Sequence, residues 1–207
     1  MSRSAFLGLA AALTVALPCH ATLLTNGGAE TGDLTGWTVG GVSNPSVDDG
    51  SFDAGIDPYA GRFSFYGGIG RYGALTQNVA LADAGRARRL TVSFVEQGLD
   101  QDTPSDSGWV SLTYYGAGGA VLGGAATDLL DSHQGRWQRY DGVFDVPAGA
   151  LSVDYTMHFQ RQVGRDLDAF FDDNSLTLAT VPEPGSAWLL APGLLALGWL
   201  RRRRRAG

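Results

Sequence analysis

The sequence predicts an all-β chain built on one antiparallel β-sandwich. Three observations carry that expectation. Short segments that alternate apolar and polar residues recur through the interior, clusters of Gly, Pro and Asp separate them, and no segment keeps a helical apolar stripe of useful length. Residues 22–180 form the expected domain, about 160 residues and enough for one substantial core. Segments of different composition flank it, residues 1–21 and 181–207.

The clearest strand is residues 151–159. Leu151, Val153, Tyr155, Met157 and Phe159 fall on one face, and Ser152, Asp154, Thr156 and His158 on the other. A period of two with polar partners marks a half-buried strand. Taken in chain order, similar runs appear at 63–66, 89–96, 109–115, 136–144 and 170–178, with weaker ones at 37–39 and 75–79. Turn chemistry punctuates them at Gly67-Gly68, Asp83-Ala84-Gly85, 104–108, 116–124 and Pro147-Ala148-Gly149. Residues 125–130 have room for one helical turn. About eight short strands in one domain predict an antiparallel sandwich.

Net charge narrows the function. The chain carries −6 overall, but Arg3 and the five terminal arginines are six of its fifteen basic residues, and Glu183 is one of its twenty-one acids. Residues 22–180 therefore hold nine bases against twenty acids, a net charge of −11. Such a domain lacks the basic face that nucleic acid demands. It suits a surface protein or one that gathers divalent cations.

The amino terminus reads as a signal peptide, residues 1–21, cut by signal peptidase. Arg3 gives a basic start, an apolar run spans residues 5–17, Pro18 breaks it, and Cys19-His20-Ala21 offers a small-residue cleavage site. The alternative, a lipoprotein signal acylated at Cys19, meets Pro18 where a small residue is wanted. Cleavage after Ala21 removes the single cysteine, leaving a domain that packs without disulfides.

The carboxyl terminus has three parts in order. Val181-Pro182-Glu183-Pro184 forms a turn, an uncharged apolar run spans residues 186–200, and Arg201, Arg202, Arg203, Arg204 and Arg205 close it. The fifteen-residue run would span about 23 Å as a helix, short of a hydrocarbon core of about 30 Å. Its arginine flank belongs on the cytoplasmic side. This arrangement resembles a PEP-CTERM sorting signal. The resemblance implies recognition of Pro182, Glu183 and Pro184, with the arginine block, by an exosortase-type transpeptidase. It also implies a short transmembrane helix that anchors the chain transiently in the inner membrane, before release to the cell surface or matrix. A plain tail anchor is the simpler alternative.

The domain carries a second resemblance. Leu24-Thr25-Asn26-Gly27-Gly28-Ala29-Glu30, then Gly32-Asp33-Leu34-Thr35-Gly36-Trp37, opens it, and Phe170-Phe171-Asp172-Asp173-Asn174-Ser175-Leu176 closes it. Between them, Gly135-Arg136-Trp137-Gln138-Arg139-Tyr140 and Phe144-Asp145-Val146-Pro147 complete a pattern similar to the galactose-binding-like jelly rolls, a group that includes carbohydrate-binding modules. Two positions depart from it: Ala29 stands for an aromatic and Asn174 for an aliphatic residue, changes expected to loosen the rim. The resemblance implies that the first and last strands meet, and that Glu30 and Asp172 bind a structural calcium ion, with carbonyls and another acid from residues 48–53 completing the shell. A hard cation wants six to eight such oxygens.

Glycan recognition needs aromatic faces beside hydrogen-bonding groups. Trp109, Tyr114 and Tyr115 are the leading contact candidates, with Tyr66, Tyr72 and Tyr140 behind them, while Trp37 and Trp137 read as packed. Trp109 follows a polar, aspartate-rich loop and is the expected exposed platform. No histidine pair has metal-ligand spacing and no serine has a nucleophile-elbow context. Adjacent acids such as Asp172-Asp173 face opposite ways on a strand, so they cannot flank one glycosidic bond. The expectation is therefore no enzyme, but an exported, exosortase-sorted jelly-roll protein that binds or associates with extracellular polysaccharide. The competing reading is a structural or adhesive biofilm-matrix protein without a discrete ligand site.

Overall fold

The computed structural model describes residues 21–181. Eleven strands make up the domain: β1 (Thr38–Gly41), β2 (Ser46–Asp48), β3 (Ser64–Tyr66), β4 (Tyr72–Ala80), β5 (Arg88–Gln97), β6 (Asp106–Tyr115), β7 (Val121–Ala126), β8 (Leu130–Asp131), β9 (Gln138–Asp145), β10 (Ser152–Arg161) and β11 (Phe170–Thr180). They pair antiparallel into two sheets. The first runs β1-β4-β10-β6-β7, with β8 also on β6, and the second runs β2-β3-β11-β5-β9. This is the all-β antiparallel sandwich the alternation predicts.

The inward residues of β10 and β5, an interior strand from each sheet, explain why the sheets stack. Val153, Tyr155, Met157 and Phe159 of β10 are fully buried, as are Leu90, Val92 and Phe94 of β5. Each aliphatic side chain shut away this way stabilises the fold by about 1.5–3 kcal/mol before entropy is counted. Trp37 seals one flank, edge-on to Phe65 at 5.4 Å and to Tyr155 at 6.0 Å, its indole N–H donating to the Asn26 carbonyl at 3.1 Å. Leu151 stands just outside β10 and is exposed, so that strand begins one residue later than the alternation suggests.

The two termini of the domain do meet. The Leu23 amide donates to the Leu176 carbonyl at 2.7 Å, and the Leu176 amide returns to the Thr22 hydroxyl at 3.0 Å. Asn174 fastens this seam. Its side-chain amide and backbone amide both donate to the Gly27 carbonyl, at 2.8 and 3.1 Å, while the Tyr155 hydroxyl donates to Asn174 Oδ1 at 2.9 Å. The substitution expected to loosen the rim instead ties it down. Ala29, the other departure, is fully buried in the core.

Residues 121–126 overturn a local expectation. They form strand β7 on the edge of the first sheet where the sequence suggested a turn, and no helical turn follows at 125–130. Gly123 and Gly124 carry no side chain to alternate, which erases the period-two signal, and pairing with β6 supplies the strand. Among the described residues the only helical turn is the 3₁₀ segment Ala117–Gly119, and no helix is long and apolar enough to cross a membrane. The expected signal peptide, apart from Ala21, lies outside the described residues, as do Pro182, Glu183, Pro184, the apolar run and the arginine block.

The outer faces of the sheets differ. Residues 49–63 fold over the second sheet: Phe52 packs on Tyr66 at 4.3 Å, Tyr66 on Phe170 at 6.4 Å, and Tyr59 meets Trp137 at 6.0 Å. The Trp137 indole N–H donates to the Asp57 carbonyl at 3.1 Å. The first sheet carries a row of half-buried polar and aromatic side chains on its outer side.

Candidate functional site

That row follows from strand register. On β10 the outward residues are Asp154, Thr156, His158 and Gln160, facing Asn78, Thr76, Ala74 and Tyr72 on β4, and Thr113, Ser111, Trp109 and Ser107 on β6. Since strands alternate faces, one sheet face collects Tyr72, His158 and Trp109 across three neighbouring strands. Trp109 lies flat against His158, centroids 4.6 Å apart and planes 9° from parallel, and Tyr72 stacks on the same imidazole at 6.0 Å.

Hydrogen bonds lock the row. The Tyr72 hydroxyl is 2.7 Å from His158 Nδ1, and the Ser111 hydroxyl is 2.7 Å from Nε2. Burial holds the His158 pKa down at about 4, so the ring is neutral near pH 7 and offers one donor and one acceptor. One hydroxyl therefore donates into the ring and the other accepts from it. So weak a base is poorly placed to activate Ser111 as a nucleophile. Further along the face, the Tyr115 hydroxyl and the Asn78 amide both donate to Asp154, at 2.9 and 2.7 Å, and the Thr76 and Thr156 hydroxyls are 3.0 Å apart. The bond to Asp154 raises the Tyr115 pKa.

Trp109 and Tyr115 thus share a face, but Tyr114 does not. Its neighbour relationship in sequence turns it inward, where it is 2 % exposed and its hydroxyl has no partner. Tyr114 is a core residue and is corrected from contact candidate to packing residue. Tyr66 is held between Phe52 and Phe170, and Tyr140 stacks on Phe94 at 5.2 Å. Sequence reasoning put His158 on a polar face without joining it to Trp109 and Tyr72. The alternation over 151–159 held that signal, once its register to β4 and β6 was known.

The two acids implied as calcium ligands, Glu30 in the opening segment and Asp172 on β11, both accept from amides of residues 60–63. Asp172 is fully buried and accepts from the Ala60 amide at 3.0 Å and the Asp173 amide at 2.6 Å. Glu30 accepts from the amides of Arg62 at 3.0 Å and Phe63 at 3.1 Å. Gly61, between Ala60 and Arg62, has φ +68, and a Cβ there would overlap the Glu30 carboxylate. Burial, with Glu30 and Asp173 as added like charges, pushes the Asp172 pKa up to about 6. Asp48 and Asp53 do not join them. Asp48 accepts from the Ser51 and Phe52 amides, and Asp53 neighbours Asp168. Asp173, exposed at φ +50 beside a bulge against β5, pairs instead with Arg139 at 2.7 Å.

No family model matches this sequence, and no curated protein matches it either. Solved structures do. The CBM22-1 xylan-binding domain from Paenibacillus barcinonensis Xyn10C superposes with a TM-score of 0.54 at 15 % identity, over 81 % of this chain and 100 % of that one. The sandwich shares the fold of that domain. TmCBM61, solved in complex with β-1,4-galactotriose, matches with a TM-score of 0.50 at 20 % identity, covering 77 % of this chain and 99 % of that one. The enzymatically active domain of bacteriophage CBA120 tailspike protein 4 gives a TM-score of 0.54 at 15 % identity over 76 % of this chain, which spans only 21 % of the tailspike chain. What the sandwich has in common with all three is its fold.

Proposed function

We propose that the outer face of the first sheet binds a neutral polysaccharide chain. The observation that carries this reading is the Tyr72–His158–Trp109 row, which sets aromatic surface beside hydroxyl and amide groups across three strands. Sugars are bound by this combination of flat apolar surface and fixed polar groups. Charge selects among glycans. The face has Asp154 and no arginine among its register residues, and His158 is neutral, so an anionic polysaccharide finds no counter-charge there. The test is affinity electrophoresis of the full chain in gels holding neutral or uronate-rich polysaccharides, with Trp109→Ala as control. Retardation by a neutral polymer, lost in the variant, supports the reading. No retardation by any polymer favours a structural or adhesive matrix protein.

Export and sorting belong to the same proposal, supported by the order of features in the sequence: signal peptide, then domain, then Pro182-Glu183-Pro184, apolar run and arginine block. Signal peptidase and an exosortase-type enzyme would act in turn, with the inner membrane as a transient station. Mass spectrometry of the mature protein tests this; a product still carrying Arg201 to Arg205 would overturn it.

A structural calcium ion at Glu30 and Asp172 is the third part. The two carboxylates lie near enough for Glu30 to raise the Asp172 pKa, a repulsion that calcium would remove. The amides of Ala60 and Arg62 now hold them, and would turn away from a bound ion. Loss of one bound calcium in Glu30→Gln supports it; unchanged binding overturns it.

A further inference from the structure

A cleft opens on the other side of the sandwich, over the outer face of the second sheet. Along β5 the core takes Leu90, Val92 and Phe94, so Gln97 at the end of the strand points outward. Residues 55–59 of the covering segment and residues 135–137 ahead of β9 rise around it and leave a space of about 350 Å³. Small-molecule sites run from roughly 300 to 1,000 Å³.

Gln97 is 4 % exposed. Among the described residues nothing hydrogen-bonds its side-chain amide, whose polar atoms are not sealed from solvent but open onto the cleft. A buried amide normally finds a partner in the chain or in something bound to it. The wall beside it is aromatic. Tyr59 and Trp137 meet edge to face at 6.0 Å and 69°, Arg139 stands over the Tyr59 ring at 5.7 Å, and the Trp137 indole N–H donates to the Asp57 carbonyl. The rings are therefore set before any ligand arrives, which lowers the cost of binding. Tyr59 is still 47 % exposed and Trp137 only half-buried, so ring surface stays open. Of the lining side chains only Arg136 and Asp57 carry charge, one of each sign.

We propose that this cleft binds one neutral sugar residue, at a site separate from the Tyr72–His158–Trp109 row. A carboxamide presents a donor and an acceptor side by side, a match for two neighbouring hydroxyls. The apolar face of a sugar ring lies well against aromatic surface, and the opposite charges at the rim leave no net preference for an ion. A purely apolar ligand would strand the Gln97 amide without a partner, at a cost. The site stands on its own geometry and does not depend on what the first sheet binds. Gln97 faces out from the second sheet, whereas the row faces out from the first.

The experiment is saturation-transfer NMR on the full chain with glucose, galactose, mannose and xylose, each at millimolar concentration, for wild type, Trp109→Ala, Gln97→Leu and Tyr59→Ala. Expected is at least one sugar that binds wild type and Trp109→Ala alike and is weakened about tenfold or more in Gln97→Leu and Tyr59→Ala. Gln97→Leu should melt at or above wild type, because an amide without a partner has left a buried position. Binding lost there is then not folding lost. A sugar whose binding disappears in Trp109→Ala and is untouched in the other two belongs to the first sheet, and that result alone overturns this site. No binding of any of these sugars to wild type overturns it too. Failure of the first face instead leaves the signal in Trp109→Ala unchanged. Should Gln97→Leu fail to fold, Tyr59→Ala decides alone: weakened binding supports the site and wild-type affinity overturns it.

Discussion

Trp109 on β6 lies parallel to His158 on β10, 4.6 Å between ring centroids, and this contact turns a polar sheet face into an aromatic one. Because both side chains point away from the core, removing one disturbs the face more than the fold. Trp109→Ala should weaken polysaccharide binding by about tenfold to a hundredfold, the effect of losing about 1.4–2.8 kcal/mol of contact. Its melting temperature should fall by only a few degrees. Gel retardation and a thermal melt on one preparation check both; a collapsed fold with unchanged affinity per folded molecule would contradict this placement.

His158 sets the pH range over which the face works. Its pKa is depressed from 6.5 to about 4 by burial, so folding favours the neutral ring. The contribution is present above the unfolded value and is lost as pH falls through the folded one. Binding should therefore be flat from pH 8 to about 5 and fall near pH 4, as a second proton makes both ring nitrogens donors, turns round the hydroxyl that had donated into the ring, and puts a positive charge on the face. Affinity measured across that range checks it. A step near pH 6.5 would place His158 in water.

Asn174 offers a stability test. Its side chain joins the Tyr155 hydroxyl to the Gly27 carbonyl inside the seam between the first and last segments. Asn174→Ala leaves the Tyr155 hydroxyl fully buried without a partner, at a cost of roughly 1–3 kcal/mol. Asn174→Leu, which restores an aliphatic residue, should not recover it. Denaturant unfolding of both variants, with Tyr155→Phe to complete a cycle, measures the coupling.

The sandwich was legible because its central strands obey a period of two: every inward residue of β10 from Val153 to Phe159 is buried. Residues 121–126 were not, since two glycines interrupt any alternation. The candidate face was half legible. Trp109 and Tyr115 were named from their strand, but adjacency made Tyr114 look equivalent, although neighbouring strand residues point to opposite sides. The partnership of Trp109, His158 and Tyr72 depends on which strands lie beside β10, a long-range fact that spacing along the chain does not contain.

Glu96 should make metal-free protein less stable as pH rises, the reverse of the usual carboxylate behaviour. It is fully buried at the inner end of β5, where one oxygen accepts from the Ser132 hydroxyl and the other has no partner. Burial raises its pKa from 4.5 to about 7, with Asp131 and Asp106 adding to the rise. Between those values the folded state binds a proton that the unfolded state has lost, so unfolding free energy falls with increasing pH. A rise of that size corresponds to roughly 3 kcal/mol lost once pH passes well above 7. Asp106 and Asp172, each near 6, act in the same direction. In chelator, wild type should therefore be markedly more stable at pH 5 than at pH 8.5, and Glu96→Gln should remove part of that difference by holding the neutral form throughout. Urea unfolding of both proteins at the two pH values decides the matter. Equal pH slopes in wild type and variant would mean that Glu96 is ionised in the fold and that the Ser132 hydroxyl alone is enough to keep its charge there.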